Sequence, residues 1–310
     1  MELPVFVQQF IVHLHELNRK TSTIEMYKHD LKHFFEWLET HKPGFDGEIW
    51  GDLKRSDYDL YFTHLNEKKQ SEASLRRVAT HLNGLLRFYK LSDQIGLLQG
   101  SNKKQRNLTD SDFITSEEAE RLLISVVSKK GLTDNQLHIY EHIADRNLAM
   151  ITLMLKYGLT IQELIQLNAE DFNFGQNTVT IVNDKNKRTL PLDPDDKKMI
   201  YQYLIGIPEV SRPKDYTDDP FFIAFHPLKM VFKYDYKASR PKRMSLIGAK
   251  NMIEKEVKRS GIRPGISATH FRNTCILQKI KEGWSNMQLI EYFGLSSRHS
   301  LYRYKRYDKN

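Results

Sequence analysis

Apolar residues recur every three to four positions along most of this chain, which is the spacing of amphipathic helices. In the first ninety residues the pattern predicts four helices, over Pro4 to Asn18, Ile24 to Leu38 after the cap candidates Thr21 to Thr23, Lys54 to Glu67 and Ser71 to Tyr89. The stretch from His41 to Gly51 contains one proline and two glycines before its last residue, which is typical of a loop. We therefore expect a small helical domain at residues 1–95.

The periodicity stops between Ser92 and Phe113, where glycines and basic residues replace the apolar stripe. We interpret residues 96–113 as a basic, exposed linker. Order resumes at Thr115, because Thr115 and Glu118 have the spacing of a capping box. A second domain is expected at residues 114–310.

In the second domain, the alternating β-branched run Thr178 to Val182 and the apolar run Arg188 to Leu192 predict a hairpin. The remaining apolar periodicity predicts helices around Leu122 to Val126, around Leu148 to Leu155, and over Asp195 to Leu204, Ser245 to Ser260, His270 to Glu282, Asn286 to Phe293 and Ser297 to Tyr307. No internal repeat interrupts this order. The expected fold class is mainly α (α+β), with one small β-sheet.

Charge is unevenly distributed along the 310 residues. Residues 221–310 contain 19 Lys plus Arg and 6 Asp plus Glu, a net charge of +13, which leaves −5 for the first 220 residues of the total of +8. A basic segment with interleaved tyrosines suits a polyanion such as nucleic acid, because neutralised phosphates release their counterions. The alternative that composition leaves open is a solvated basic face.

Several classes of protein are disfavoured by what the sequence lacks. No apolar run reaches the roughly 20 residues of a membrane span, so we expect no membrane partner. The single cysteine, Cys275, excludes an internal disulfide and indicates a reducing cytosol. No zinc motif, phosphate-binding glycine loop or nucleophile elbow is present, so we expect no metal and no cofactor.

Five segments occur in an order that resembles the tyrosine recombinase (phage integrase) family, and the likeness covers nearly the whole chain. These segments are Thr21 to Leu38, Leu75 to Tyr89, Asp145 to Asp171 with Gly158-Leu159-Thr160, the hairpin Val179 to Leu192, and Thr269 to Tyr304 with its His-x-x-Arg-like and Leu-Gly-His-like boxes. The resemblance implies an N-terminal helical core-binding (SAM-like) domain and a larger, mostly helical catalytic-type domain.

In that family a tyrosine attacks the DNA phosphate, two arginines neutralise its charge, and a lysine and histidines transfer protons. Arg272 and Tyr304 match this pattern, and Lys185 or Lys187 matches the hairpin lysine. Thr160 stands in place of the first arginine, and Thr269 and Leu295 stand in place of the two histidines. Because one lost charge-stabilising donor costs roughly 3 to 4 kcal/mol, we expect no strand exchange and no enzyme activity.

The resemblance also implies a clamp around duplex DNA that needs cationic side chains on both domains. The candidates are Arg76, Arg77, Arg87, Lys103, Lys104, Arg106, Lys242, Arg243, Arg272, Arg298, Arg303 and Arg306. Each has an ordinary alternative, which is to solubilise the surface or to hold a helix end.

The function expected from these observations is sequence-specific binding of double-stranded DNA by a transcriptional repressor of a temperate phage or mobile element. The type it resembles most is the recombinase-like repressor that maintains lysogeny in SPbeta-type Bacillus phages. An active site-specific recombinase, an architectural accessory factor, or a separate helix-turn-helix at residues 286–307 are the alternatives. Only six residues follow Tyr304, so we expect no exchange segment, a monomer or weak oligomer, and a location on DNA in the bacterial cytoplasm.

Overall fold

The computed structural model describes residues 3–42, 50–99, 106–183 and 187–308. The chain divides into two compact units, residues 1–106 and 107–310. The boundaries expected from the sequence, 1–95, 96–113 and 114–310, remain predictions. None of the helices in the described ranges is long and apolar enough to cross a membrane.

Among its described residues the N-terminal unit contains five α-helices, and the four longer ones lie where the apolar spacing predicts them. They are α1 (Val5–Glu16), α2 (Thr21–His41), α3 (Arg55–Glu67), α4 (Glu72–Phe88) and α5 (Ser92–Ile95). Phe34, Phe35 and Leu82 are almost completely buried in the core of this unit. The short α5 occupies part of the segment where the sequence predicts no order, because Leu98 and Asn83 exchange two hydrogen bonds that hold the chain against α4.

The C-terminal unit contains eight helices among its described residues. They are α6 (Ser116–Val127), α7 (Asp134–Lys156), α8 (Ile161–Gln166), α9 (Pro194–Gly206), α10 (Leu246–Ser260), α11 (Ala268–Lys281), α12 (Asn286–Phe293) and α13 (His299–Asp308). The capping box predicted at Thr115 is present, since Thr115 Oγ1 accepts from Glu118 N at 3.2 Å. Helix α7 begins well before the apolar run that predicts it, because Thr133 caps its polar first turns.

The predicted hairpin is the centre of a three-stranded antiparallel sheet. Strand β1 (Phe172–Asn173) pairs with β2 (Thr178–Val182), and β2 pairs with β3 (Lys187–Pro191). Val179, Ile181 and Leu190 face the core, while alternate residues face outward, as the period of two requires.

Two further hairpins, which the sequence pattern does not predict, lie between α9 and α10. One consists of β4 (Phe225–His226) and β5 (Val231–Phe232), and the other of β6 (Tyr234–Asp235) and β7 (Arg240–Pro241). Strands of two residues are too short to show an alternation of apolar and polar positions. The fold class is nevertheless confirmed as mainly helical with small sheets.

The core of the C-terminal unit surrounds α7. Met150, Ile151 and Leu153 on this helix are completely buried. A buried polar bond also joins α7 to α10, because Asn147 Nδ2 donates to Glu256 Oε1 at 2.8 Å. The helix ends at Lys156, and this anchoring fixes the position of the turn at Gly158, two residues further along the chain.

Candidate active site and nucleic-acid interface

The turn after α7, the helix α11 and the end of α12 meet at the side chain of Arg272. Its Nη1 donates to the carbonyl oxygen of Gly158, and its Nη2 donates to the carbonyl oxygen of Phe293 at 2.6 Å. The side chain is only 15% exposed. Two of the segments that carry the family resemblance, Asp145 to Asp171 and Thr269 to Tyr304, are therefore joined by one guanidinium group.

Glu163 on α8 supplies the negative charge of this site. Its Oε1 lies 2.7 Å from Arg188 Nη1, and its Oε2 lies 3.4 Å from Arg272 Nη1. Burial alone raises the pKa of Glu163, but the bonds and charges, chiefly those of Arg188, outweigh it and lower this pKa below its ordinary value. The carboxylate is ionised at neutral pH and holds the two arginines together.

Arg188 on β3 is a site residue that the sequence analysis misses. Its side chain is 7% exposed, and its Nε and Nη2 atoms have no hydrogen-bond partner in the described structure. The pattern of the hairpin shows only that Arg188 faces inward with Ile181 opposite it. The signal available in the sequence was therefore a basic residue at a core-facing position of a strand.

Two glycines allow these segments to approach each other. Gly158 has a φ of +66°, and a Cβ atom at this position would overlap the ring of Phe293. Gly294 ends α12 with a φ of +60°, and a Cβ atom there would lie 2.7 Å from Arg188 Nη1. Both positions require glycine for conformation and for space.

Tyr304, the predicted counterpart of the nucleophile, lies on α13 with 7% of its surface exposed. Its hydroxyl donates to Asn273 Oδ1 at 2.7 Å, one residue along α11 from Arg272. Burial raises the pKa of Tyr304 above its ordinary value, although the nearby arginines Arg303 and Arg272 lower it in part. The tyrosine is held as a neutral phenol beside the arginine cluster.

The other predicted site positions are placed in different ways. The hydroxyl of Thr160 caps α8 by accepting from Glu163 N at 3.1 Å. Thr269 is exposed in the first turn of α11, and Leu295 packs against the apolar cluster that includes Tyr304. Lys185 lies outside the described residues, and its alternative, Lys187, is exposed on β3.

In the N-terminal unit, the candidate Arg77 on α4 takes part in a buried network. Its Nε and Nη2 donate to the two carboxylate oxygens of Asp30 at 2.8 and 3.0 Å, and His81 Nδ1 lies 2.8 Å from the same carboxylate. Asp30 is 5% exposed. Its place on the apolar stripe of α2 is the sequence signal for a buried partner.

The other cationic candidates differ in how much of the side chain is exposed to solvent. Arg87, Lys242, Arg298 and Arg306 are exposed, as is Arg106, whereas Arg76 is partly buried. Lys103 and Lys104 lie outside the described residues. The guanidinium of Arg303 lies 5.7 Å from the ring centre of Tyr304.

Arg243 has a structural role that the sequence analysis does not foresee. Its Nη1 donates to the carbonyl oxygens of Ile165 and Leu167 at 2.7 and 3.1 Å, and its Nη2 donates to Asn168 Oδ1 at 2.6 Å. These bonds anchor the base of the second hairpin to the C-terminal end of α8. That Arg243 also contacts DNA remains a prediction.

Comparison with known proteins assigns this architecture to a family. The sequence model described as the phage integrase family matches residues 113–310, and the model of the phage integrase N-terminal SAM-like domain matches residues 7–92. The chain belongs to the phage integrase family.

Named relatives and solved structures agree with this assignment. The chain is 25% identical over 286 residues to tyrosine recombinase XerC of Anoxybacillus flavithermus, covering 90% of this chain and 85% of the relative. It is 22% identical to tyrosine recombinase XerD of Listeria innocua, with 86% and 84% covered. Among solved structures, XerH recombinase bound to its difH substrate in a pre-cleavage complex has a TM-score of 0.66 at 14% identity, covering 99% of this chain and 94% of that one. A lambda integrase (75–356) dimer bound to a COC′ core site has a TM-score of 0.63 at 12% identity, with 98% and 95% covered.

The expectation that the chain is not an enzyme is wrong on this evidence. It rests on the residues at three positions, Thr160, Thr269 and Leu295, whereas the sequence relatives above are named tyrosine recombinases, which are enzymes. Residue types at isolated positions carry less information than similarity over most of the chain.

Proposed function

We propose that this chain is a site-specific tyrosine recombinase that binds a duplex DNA site and exchanges its strands through Tyr304. The observation that carries this proposal is the position of Tyr304 and Arg272, whose helices α13 and α11 are joined by the bond from Tyr304 to Asn273. The names of the sequence relatives support it, and so do the DNA complexes of proteins with the same fold.

The chemistry expected at this site is the transfer of a DNA phosphoryl group to the oxygen of Tyr304. The oxygen of Tyr304 forms a bond to phosphorus, a phosphodiester bond of the DNA breaks, and the freed hydroxyl end can later reverse the step on a new partner strand. In this proposal the guanidinium of Arg272 neutralises charge on the phosphate. Because Tyr304 starts as a neutral phenol, it loses its proton to water as it attacks, and the leaving oxygen of the DNA gains a proton to become the free hydroxyl. The resemblance offers Lys185 or Lys187, whose ammonium group can donate that proton.

DNA binding has to rearrange this site before the reaction. The hydroxyl of Tyr304 is engaged by Asn273, and both outer nitrogens of Arg272 donate to carbonyl oxygens. A bound phosphate therefore meets outer nitrogens of Arg272 that each already donate a hydrogen bond to the fold. We expect the bond between Tyr304 and Asn273 to be released when the duplex binds.

A nicked duplex that traps the covalent intermediate tests this proposal. Incubation with a site that the protein protects in footprinting should yield an adduct that survives denaturing electrophoresis. The adduct should disappear in Tyr304→Phe and persist in Tyr302→Phe, which changes an exposed tyrosine on the same helix. If wild-type protein protects the site but forms no adduct, strand exchange by Tyr304 is rejected.

A second candidate function is transcriptional repression by occupying an operator, as in the repressors of SPbeta-type phages. Two residues support this function, because Thr160 caps α8 and Leu295 packs against the apolar cluster that includes Tyr304. At both positions the resemblance expects a group that acts on a phosphate. Repression requires DNA binding but no strand cleavage, so Tyr304→Phe should leave repression intact. Genomic occupancy should then cluster at promoters that share one motif, whereas occupancy only at an attachment site would reject this function.

A further inference from the structure

The two hairpins between α9 and α10 share a rigid base. Lys233 N donates to the carbonyl oxygen of Ala224 at 2.8 Å, Ala224 N donates to that of Lys242 at 2.8 Å, and Met244 N donates to that of Phe222 at 2.9 Å. Phe222 and Met244 are buried. The segment 225–241, which we call the double hairpin, is therefore fixed to the core of the C-terminal unit at its base.

The tips of the double hairpin are very exposed and include apolar side chains. Leu228 in the first turn is 92% exposed, and Tyr236 in the second turn is 87% exposed. The second turn is ordered, because Asp235 Oδ1 accepts from Lys237 N and Ala238 N at 3.1 and 3.2 Å. An ordered turn therefore holds the ring of Tyr236 out into solvent.

Positive charge surrounds these tips. Residues 225–243 contain six basic side chains and one acidic side chain. Arg240 pairs with Asp218 at 3.2 Å, and Arg243 is bonded to carbonyl oxygens. Within the described ranges, Lys229, Lys233, Lys237 and Lys242 make no ion pair and no side-chain hydrogen bond.

The base of the double hairpin is bonded to α8, and this contact links the positive charge of the hairpin to the candidate active site. Arg243 holds the base at the C-terminal end of α8, and the N-terminal end of the same helix carries Thr160 and Glu163. A helix of six residues is only about 9 Å long. Phosphates of one strand are spaced about 3.4 Å apart along the helix axis, so a duplex whose phosphate lies at the active site has further phosphates about 9 Å away.

We propose that the double hairpin is a second phosphate-binding surface for duplex DNA, next to the site that Arg272 and Tyr304 define. It rests on the proposed DNA-binding function. Lys229, Lys233 and Lys237 contact phosphates beside the reacting position. Tyr236 packs on the sugar-phosphate backbone between them. These contacts add affinity without reading sequence.

The salt dependence of DNA binding measures this surface directly. The variant Lys229→Gln/Lys233→Gln/Lys237→Gln should reduce the slope of log affinity against log salt on a mixed-sequence duplex by about 2 to 3, since each phosphate contact contributes about 0.9. Lys229 and Lys237 are exposed and Lys233 is partly buried, and none of the three makes an ion pair in the described ranges, so the melting temperature should change little. Hydroxyl-radical footprinting should show that protection is lost on one flank only.

The matched control changes the same charge elsewhere on the C-terminal unit. Lys198→Gln/Lys255→Gln/Lys258→Gln alters exposed lysines of α9 and α10 and should reduce the slope by less than one. If both triple variants reduce the slope equally, the double hairpin is not a specific surface and the proposal is overturned. An unchanged slope in the hairpin variant overturns it as well.

A separate measurement distinguishes failure of this proposal from failure of the proposed function. If wild-type protein binds duplex and forms the Tyr304 adduct while the hairpin variant is unaffected, only the double hairpin is rejected. If wild-type protein binds no duplex, both fail. Vesicles of equal parts phosphatidylserine and phosphatidylcholine provide the other polyanion, and lysine-dependent binding to them without an effect on DNA would reassign this surface to a membrane.

Discussion

The two units each bury one carboxylate against two basic side chains, but they leave different amounts of the cations available. In the N-terminal unit, Asp30 binds Arg77 and His81, and the Arg77 side chain remains 37% exposed. Two of the Arg77 nitrogens hold the fold, and the third is free of Asp30. The same residue can therefore stabilise the helix pair and face a ligand.

In the C-terminal unit, Glu163 binds Arg188 and Arg272, whose side chains are 7% and 15% exposed. Arg272 also donates to two backbone carbonyl oxygens. Both outer nitrogens of Arg272 are thus engaged by the fold, and much less of this side chain than of Arg77 is open to a phosphate. The comparison shows that a cation bound to a buried carboxylate can remain available to a ligand or not. Which of the two occurs depends on how many further acceptors surround the cation.

Removing the charge of Glu163 should lower the unfolding free energy more than any other change considered below. Glu163→Gln leaves two buried guanidinium groups without a counter-charge, and we expect the unfolding free energy to fall by about 3 to 5 kcal/mol. Denaturant titration at neutral pH measures it. The control Glu254→Gln, at an exposed position of α10, should change stability by less than about 0.5 kcal/mol.

An equal loss in Glu163→Gln and Glu254→Gln would mean that the arginines find other partners. The C-terminal network would then be no tighter than the N-terminal one, and the contrast drawn above would disappear.

The next largest effect should come from the close packing at Gly158. Gly158→Ala places a methyl group against the ring of Phe293, in a left-handed conformation that itself costs about 1 to 2 kcal/mol. Gly261→Ala has the same φ of +66° but nothing within 4 Å, so it measures the conformational cost alone. We expect Gly158→Ala to be less stable than Gly261→Ala by about 1 to 3 kcal/mol in thermal unfolding.

Similar losses in the two glycine variants would show that the ring of Phe293 moves aside without cost. The active site would then be more plastic than its hydrogen bonds indicate, and DNA could open it easily.

In the N-terminal unit, Asp30→Asn should lower the unfolding free energy by about 2 kcal/mol at neutral pH, because the hydrogen bonds from Arg77 and His81 lose their charged acceptor. The value is smaller than for Glu163 since water screens the partly exposed Arg77. Burial alone raises the pKa of Asp30, but the bonds from His81 and Arg77 lower it below its ordinary value.

A lowered pKa fixes the sign of the pH dependence. The stabilisation by Asp30 is fully present above the unfolded pKa of about 3.9 and is lost as the pH falls through the lower folded pKa. The stability difference between wild type and Asp30→Asn should therefore shrink below about pH 4. A difference that stays constant from neutral to acid pH would contradict a charged Asp30 in the folded state.

Most of the fold could be predicted from the sequence because its helices are long and carry one apolar face. The interval between Leu31 and Leu38 or between Leu75 and Leu86 contains enough turns to reveal the period. The double hairpin could not be predicted, since its strands are shorter than one repeat of any pattern. Helix α8 has only six residues and was missed for the same reason.

The candidate site was predicted only in part, because sequence shows residue types but not which groups share a partner. Arg272 and Tyr304 followed from the order of the segments. Arg188 did not, because a basic residue in a strand is ordinarily expected to face water. Its inward orientation depends on Glu163, which is 25 residues away in the chain.

The smallest effect on stability should come from Arg87, which is exposed at the end of α4. Arg87→Gln should change the unfolding free energy by less than about 0.5 kcal/mol, yet reduce the salt slope of duplex binding by about one if Arg87 contacts a phosphate. Arg77→Gln should reduce both quantities, because it leaves the buried Asp30 without its bidentate partner. If Arg77→Gln lowers stability but leaves the salt slope unchanged, Arg77 serves only the fold, and the N-terminal network withholds its cation as completely as the network around Glu163 does.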